Sequence, residues 1–147
     1  SSRWRRIATE AFEQCERAIV PHILTPQRFD HWLKTQPIHS EDRPFPWTLA
    51  APRLIKAIAV ARSEAPSLRQ WMVTAGKSGE CVKAEVTRPS GLVIAIGPEG
   101  GWTPRERTLA IEAGFGEISL GGRVLRAVTA SVAAVAIGAE AIEQHWV

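Results

Sequence analysis

The sequence predicts an α/β domain, a parallel sheet flanked by helices, and three observations predict it. Strand-like apolar runs alternate with helical patterns, two of those runs end in glycine-rich turns, and each turn opens directly into a helix. With 147 residues, 45% of them hydrophobic and 22% charged, the chain can bury a core as one domain over residues 1–147 without disulfide or metal support.

The first element is an amphipathic helix. Trp4, Ile7, Ala8, Ala11, Phe12, Cys15 and Ala18 recur at helical spacing, and Arg6/Glu10 and Glu13/Arg17 form i,i+4 pairs on the polar side. Pro21 ends it or lies just beyond it, and Ile19 to Leu24 reads as a short strand before Pro26. Pro37, Pro44, Pro46 and Pro52 make a loop of residues 37–52. Leu54 to Ala61 reads as a buried strand or short helix, and Trp71 to Ala75 as a second apolar segment before the Gly76-Lys77-Ser78-Gly79 turn. The rest is clearer: strand Leu92 to Ile96, helix Pro104 to Ala113, strand Glu117 to Leu120, and an alanine-rich helix from Thr129 to Gln144.

Composition removes several function classes. The run Ala127 to Ala139 is only 13 residues long and stops at Glu140, so no transmembrane segment is expected. The N-terminus lacks the apolar stretch of a signal peptide and Cys15 and Cys81 offer no disulfide framework, which together suggest a reducing cytoplasm. His22, His31, His39 and His145 show no ligand spacing with either cysteine, so no metal is expected. Neither a phosphate loop nor a dinucleotide fingerprint occurs. The net charge is only +3, yet 14 of the 18 basic residues are arginine, which suits phosphate contacts and base stacking. Solubility alone also explains such a bias.

The chemistry is expected in two loops. Ile96-Gly97-Pro98-Glu99-Gly100-Gly101-Trp102-Thr103-Pro104-Arg105-Glu106 follows a predicted strand, where open α/β sheets place their ligands. Thr103, Pro104 and Glu106 form a capping-box pattern, a purely structural feature, but a tight turn alone does not demand Gly-Pro-Glu-Gly-Gly in full. The second stretch, Ile118-Ser119-Leu120-Gly121-Gly122-Arg123-Val124-Leu125-Arg126-Ala127-Val128-Thr129-Ala130, again joins a strand, a glycine turn and a helix, and the two loops are expected on neighbouring strands. Of the six tryptophans, Trp102 is the candidate for base stacking, while the others suit core or interface.

These paired stretches, with Glu13-Gln14-Cys15-Glu16-Arg17 and Pro21 upstream, resemble the signature of the RsmE family in the SPOUT superfamily of RNA methyltransferases, along nearly the whole chain. The resemblance implies a C-terminal deep trefoil knot. It implies S-adenosylmethionine as cofactor, no metal, and N3 of a uridine in 16S ribosomal RNA as the target, with ribosomal RNA or the small subunit as partner and a homodimer as the working form. The cofactor would be lined by Gly97, Glu99, Gly100, Gly101, Leu120, Gly121, Leu125, Arg126, Thr129 and Ala130, largely through backbone groups. Methyl transfer needs a nucleophile held in line, so positioning supplies most of the catalysis. Arg126 is the candidate for stabilising charge on the uracil, with a surface ion pair as its structural alternative. Arg17 and Gln14, one helical turn apart, are secondary catalytic candidates.

Two departures from the family stand out. The chain begins almost at the first helix of the methyltransferase domain, so the family's small N-terminal RNA-binding barrel (PUA-like) is expected to be absent and RNA affinity weak. Val128 stands where the family motif reads Leu-Arg-x-Glu-Thr-Ala, replacing a carboxylate that could assist deprotonation. A SPOUT enzyme for another RNA position, and a knotted binding module with little or no turnover, are the alternatives these features leave open.

Overall fold

The computed structural model describes residues 2–16, 20–35, 54–77 and 91–145. In chain order these form α1 (Ser2–Gln14), α2 (Phe29–Thr35), β1 (Leu54–Ala59), α3 (Leu68–Lys77), β2 (Gly91–Ile96), α4 (Pro104–Glu112), β3 (Gly116–Ile118) and α5 (Ala127–His145). The three strands make a parallel sheet in the order β2-β1-β3. The register runs from Leu54 opposite Gly91 to Ala59 opposite Ile96, and Ala57 to Ala59 pair with Gly116 to Ile118.

Helices cover both faces of this sheet, which is why β1 and β2 read as near-continuous apolar runs. On one side Ile55, Ala57 and Ile118 pack with Leu68 and Met72 of α3 and Ala134 and Ala141 of α5. On the other, Ile58 packs with Leu33 of α2, Ala110 of α4 and Phe115. Phe29 and Trp32 extend this second core, Phe29 lying 4.7 Å from the Trp102 ring centroid and Trp32 meeting Phe115 at 6.1 Å. Arg69 ties α3 to α5 through Glu140 at 3.5 Å.

Several expectations are corrected. Residues 20–24 form no strand; Pro21 removes one backbone donor, and no described strand lies there to pair with them. Ile19 lies outside the described residues. α1 ends at Gln14 rather than near Ala18, with Glu16 in the left-handed region at φ 50°. Arg17, the loop of residues 37–52 and Cys81 lie outside the described residues, while Arg6 and Glu10 do meet, at 3.6 Å. The helix α2 escaped prediction because seven residues carry too little periodicity; Asp30 in its first turn accepts the His31 backbone N–H at 2.9 Å. The two glycine loops do not sit on neighbouring strands, since β1 lies between β2 and β3. The last helix is longer than the 13-residue apolar run: α5 has 19 residues, and its Ala127–Gln144 window has a mean hydropathy of 1.2, long and apolar enough to cross a membrane by length and composition alone. Its buried face packs on α3 and β2, the position of a sheet-flanking helix.

The capping box of α4 is present in full. The Glu106 N–H donates to Thr103 Oγ1 at 3.2 Å, and the Thr103 N–H donates to Glu106 Oε2 at 2.8 Å. That hydrogen bond lowers the Glu106 carboxyl pKa. Farther along the helix, Arg107 makes a two-pronged pair with Glu117 of β3, at 2.7 and 2.8 Å, which lowers the Glu117 pKa.

A Cβ at Gly116 would collide with the Trp71 indole, whereas one at Gly138 would meet only the tip of Leu92, at 2.8 Å. Gly116→Ala should therefore cost about 2 kcal/mol in urea unfolding, and Gly138→Ala much less, helped by helix propensity. Thr103→Ala should cost about 1 kcal/mol. Both glutamates have folded pKa values below the ordinary 4.5, so their contribution is present above that value and is lost as pH falls through the lowered folded value. Replacing both by glutamine should flatten the acid limb of a Tm-versus-pH curve; an unaltered limb would contradict the assignment.

Candidate active site

The C-terminal ends of all three strands open into one cavity of about 320 Å³, a size that suits a nucleoside-like ligand. The end of β1 lines it between the loop after β2 and the loop after β3, from Ala59 and Val60 on the floor to the exposed Ala61 and Arg62 at the mouth. The Trp102 indole N–H donates to the Ala59 carbonyl at 3.0 Å, and the Val60 N–H donates to the Ile118 carbonyl at 2.9 Å. Trp102 is therefore a packed wall of the cavity, held by Phe29 and the strand end, rather than a free stacking platform.

The loop after β2 closes on itself through the Gly101 N–H to the Pro98 carbonyl at 2.9 Å. Gly101 and Gly121, with φ of 74° and 115°, occupy conformations in which a side chain would be strained. The loop after β3 is braced by Ser119, whose hydroxyl accepts the Gly121 N–H at 3.1 Å. Glycine backbone rather than side chains thus forms much of the rim.

Eight of the ten residues expected around the cofactor line this cavity: Gly97, Glu99, Gly100, Gly101, Leu120, Gly121, Leu125 and Ala130. Arg126 and Thr129 do not; both are exposed at the start of α5, where the Arg126 carbonyl accepts the Ala130 N–H at 2.8 Å. Gln14 is exposed on α1 and is not part of the lining. Val128 is 77% exposed. Among the described residues, no three His, Cys, Asp or Glu side chains gather to hold a metal ion.

Sequence reasoning missed the floor at Ala59 and Val60 and the lining residues Arg62, Arg107 and Arg123. The floor carries no motif, and only the central position of β1 reveals it. The Arg107–Glu117 pair spans ten residues and joins a helix to a strand, so no local spacing announces it.

Residues 1–139 match the family model of the RNA methyltransferase domain. A ribosomal RNA small subunit methyltransferase E from Synechocystis is 36% identical over 91% of this chain, which spans 36% of that protein. The corresponding Mycobacterium bovis protein is 28% identical over 93% of this chain and 42% of its own length. Among solved structures, a ribosomal RNA small subunit methyltransferase E from Neisseria gonorrhoeae bound to S-adenosyl methionine aligns with a TM-score of 0.60 at 32% identity, covering 94% of this chain and 45% of that one. A Legionella pneumophila structure with bound cofactor SAM gives a TM-score of 0.63 at 25% identity, covering 97% and 45%. The chain spans less than half the length of these relatives, but the match takes in both glycine loops. The chain belongs to the RNA methyltransferase domain family.

Proposed function

We propose that this chain is the catalytic domain of a ribosomal RNA methyltransferase that uses S-adenosylmethionine and acts on N3 of a uridine in the small-subunit RNA, in the cytoplasm. One observation carries the reading: eight residues from two separated glycine loops meet around a single cavity of about 320 Å³ at the C-terminal edge of a parallel sheet. The relatives named for small-subunit RNA methylation and the S-adenosyl methionine in the Neisseria structure support the same chemistry. The loop after β3 reaches the cavity from beyond β1, and this crossing, with the family membership, supports a knotted C-terminal segment as a further part of the proposal.

The residues present fit the cofactor. Rim glycines let backbone groups approach an adenine, and Leu120, Leu125 and Ala130 offer apolar contact. When bound, S-adenosylmethionine supplies an electrophilic methyl group. The protein's work is then to hold the uracil in line and to stabilise the negative charge left as its N3 proton departs. Arg126, exposed beside the cavity loop, offers a guanidinium with several donors and takes that second role in this reading, with Arg17 and Gln14 as secondary candidates.

The apolar surface supports a homodimer. Val128, Val132 and Val135 of α5 are 77%, 67% and 66% exposed, and Trp4 and Ile7 of α1 are about half exposed. Two helices with uncovered apolar faces suit a symmetric partner. Light scattering should give twice 16.1 kDa, and Val132→Glu should shift the chain to monomer.

Calorimetry should detect S-adenosylhomocysteine binding, and labelled methyl groups should enter ribosomal RNA that lacks the modification. No binding at millimolar ligand would sink the reading. Arg126→Ala should lower turnover by about 3 kcal/mol of transition-state stabilisation while leaving cofactor affinity near that of the wild type. Because Val128 is exposed in the single chain, Val128→Glu should leave its fold intact, and where light scattering shows the dimer preserved turnover should rise if a carboxylate there assists proton removal. Unchanged turnover with intact folding would mark the valine as catalytically neutral.

A further inference from the structure

The cavity that takes the cofactor in the reading above has an electrostatic feature of its own. Three arginines line it, each from a different part of the sheet edge: Arg62 after β1, Arg107 from α4 and Arg123 after β3. Glu99 is the acid among the lining residues. Arg107 is already neutralised by its two-pronged pair with Glu117. Arg62 and Arg123 are exposed, and neither forms an ion pair among the described residues.

The backbone at Arg62 is unusual. Its φ of 54° lies in the left-handed region, in an exposed turn where glycine would be relaxed. The turn is braced rather than loose, since the Ser63 hydroxyl donates to the Val60 carbonyl at 3.1 Å and the Val60 N–H is held by Ile118. A strained arginine at a cavity mouth signals that the side chain is needed there.

We propose that Arg62 and Arg123 form a phosphate-binding collar that holds the backbone of the RNA strand across the mouth of the cavity. The inference rests on the methyltransferase reading. Charge decides between the two ligands of that reading. S-adenosylmethionine carries a sulfonium, an ammonium and a single carboxylate, so it offers an anionic partner to one guanidinium at most. A phosphodiester strand is anionic and arrives from solvent, where both side chains lie. Guanidinium groups on the loops after two neighbouring strands would fix the strand in position without reading its sequence. Arg107, paired and half-buried, stands outside the collar and serves as an internal control.

The test uses a single-stranded oligouridylate as probe, titrated at several salt concentrations in the presence of saturating S-adenosylhomocysteine. Each of Arg62→Gln and Arg123→Gln should weaken binding and reduce the slope of log K against log salt by about 0.7, with the effects adding in the double variant. Arg107→Gln paired with Glu117→Gln should leave the slope unchanged. In Arg62→Gln and Arg123→Gln the loss of probe affinity should exceed any loss of S-adenosylhomocysteine affinity, because the side chains contact the strand's phosphates. Arg62→Gly gives a second readout: it should bind the probe as weakly as Arg62→Gln while its Tm holds or rises by about 3 °C, since glycine relieves the backbone. An unchanged slope in the double variant, or lost S-adenosylhomocysteine affinity with the slope intact, would overturn the collar alone. A wild-type chain that binds no S-adenosylhomocysteine overturns the functional reading and the collar with it.

Discussion

The hydrogen bond from the Trp102 indole to the Ala59 carbonyl ties the loop after β2 to the central strand end on which the cavity is built. Ala59 is the last residue of the central strand, and Trp102 is the residue before the helix cap at Thr103. Locking the two places the glycine loop after β2 over the end of β1. On the opposite side, the Val60 N–H to Ile118 carbonyl bond ties the start of the third loop to the same strand end. Two segments far apart in sequence therefore converge on Ala59 and Val60, and Phe29, stacked on Trp32, which in turn meets Phe115, backs the indole. A partly buried indole N–H needs an acceptor, so satisfying it and shaping the site are one requirement.

This arrangement divides labour between backbone and side chains. The rim glycines present peptide groups where a ligand must come close, and the capping box fixes where the loop ends and α4 begins. Charge is kept at the margin. The fixed pair Arg107–Glu117 joins α4 to β3 and leaves little free charge inside, while Arg62 and Arg123 stay in water at the mouth. Such a cavity discriminates by shape within and by electrostatics at its entrance.

The parts of the site that could be read from sequence are those whose physics is local. Gly-Pro-Glu-Gly-Gly followed by Thr-Pro-x-Glu is a loop and a helix start within a single window, and both the loop and the cap lie where that pattern puts them. The second loop and the α5 helix are legible for the same reason, although the helix begins at Ala127, two residues earlier than the pattern suggests. What sequence could not provide depends on long-range pairing. Ala-Val at the end of β1 is chemically ordinary and becomes a cavity floor only because β1 is central. The predicted strand at Ile19 to Leu24 had the composition of a strand with no neighbour to pair with, and the reading of the loops as neighbours ignored the strand between them.

The central claim is that one ligand touches all three strand ends at once. Backbone amide shifts of the chain, recorded with and without S-adenosylhomocysteine, test it most directly. The account predicts that perturbed amides cluster in three groups, at residues 59–62, 97–102 and 120–125, with Pro98 silent because it carries no amide proton. Perturbations gathered instead around Leu54, Trp71 and Gly114, at the opposite edge of the sheet, or confined to a single loop, would contradict it.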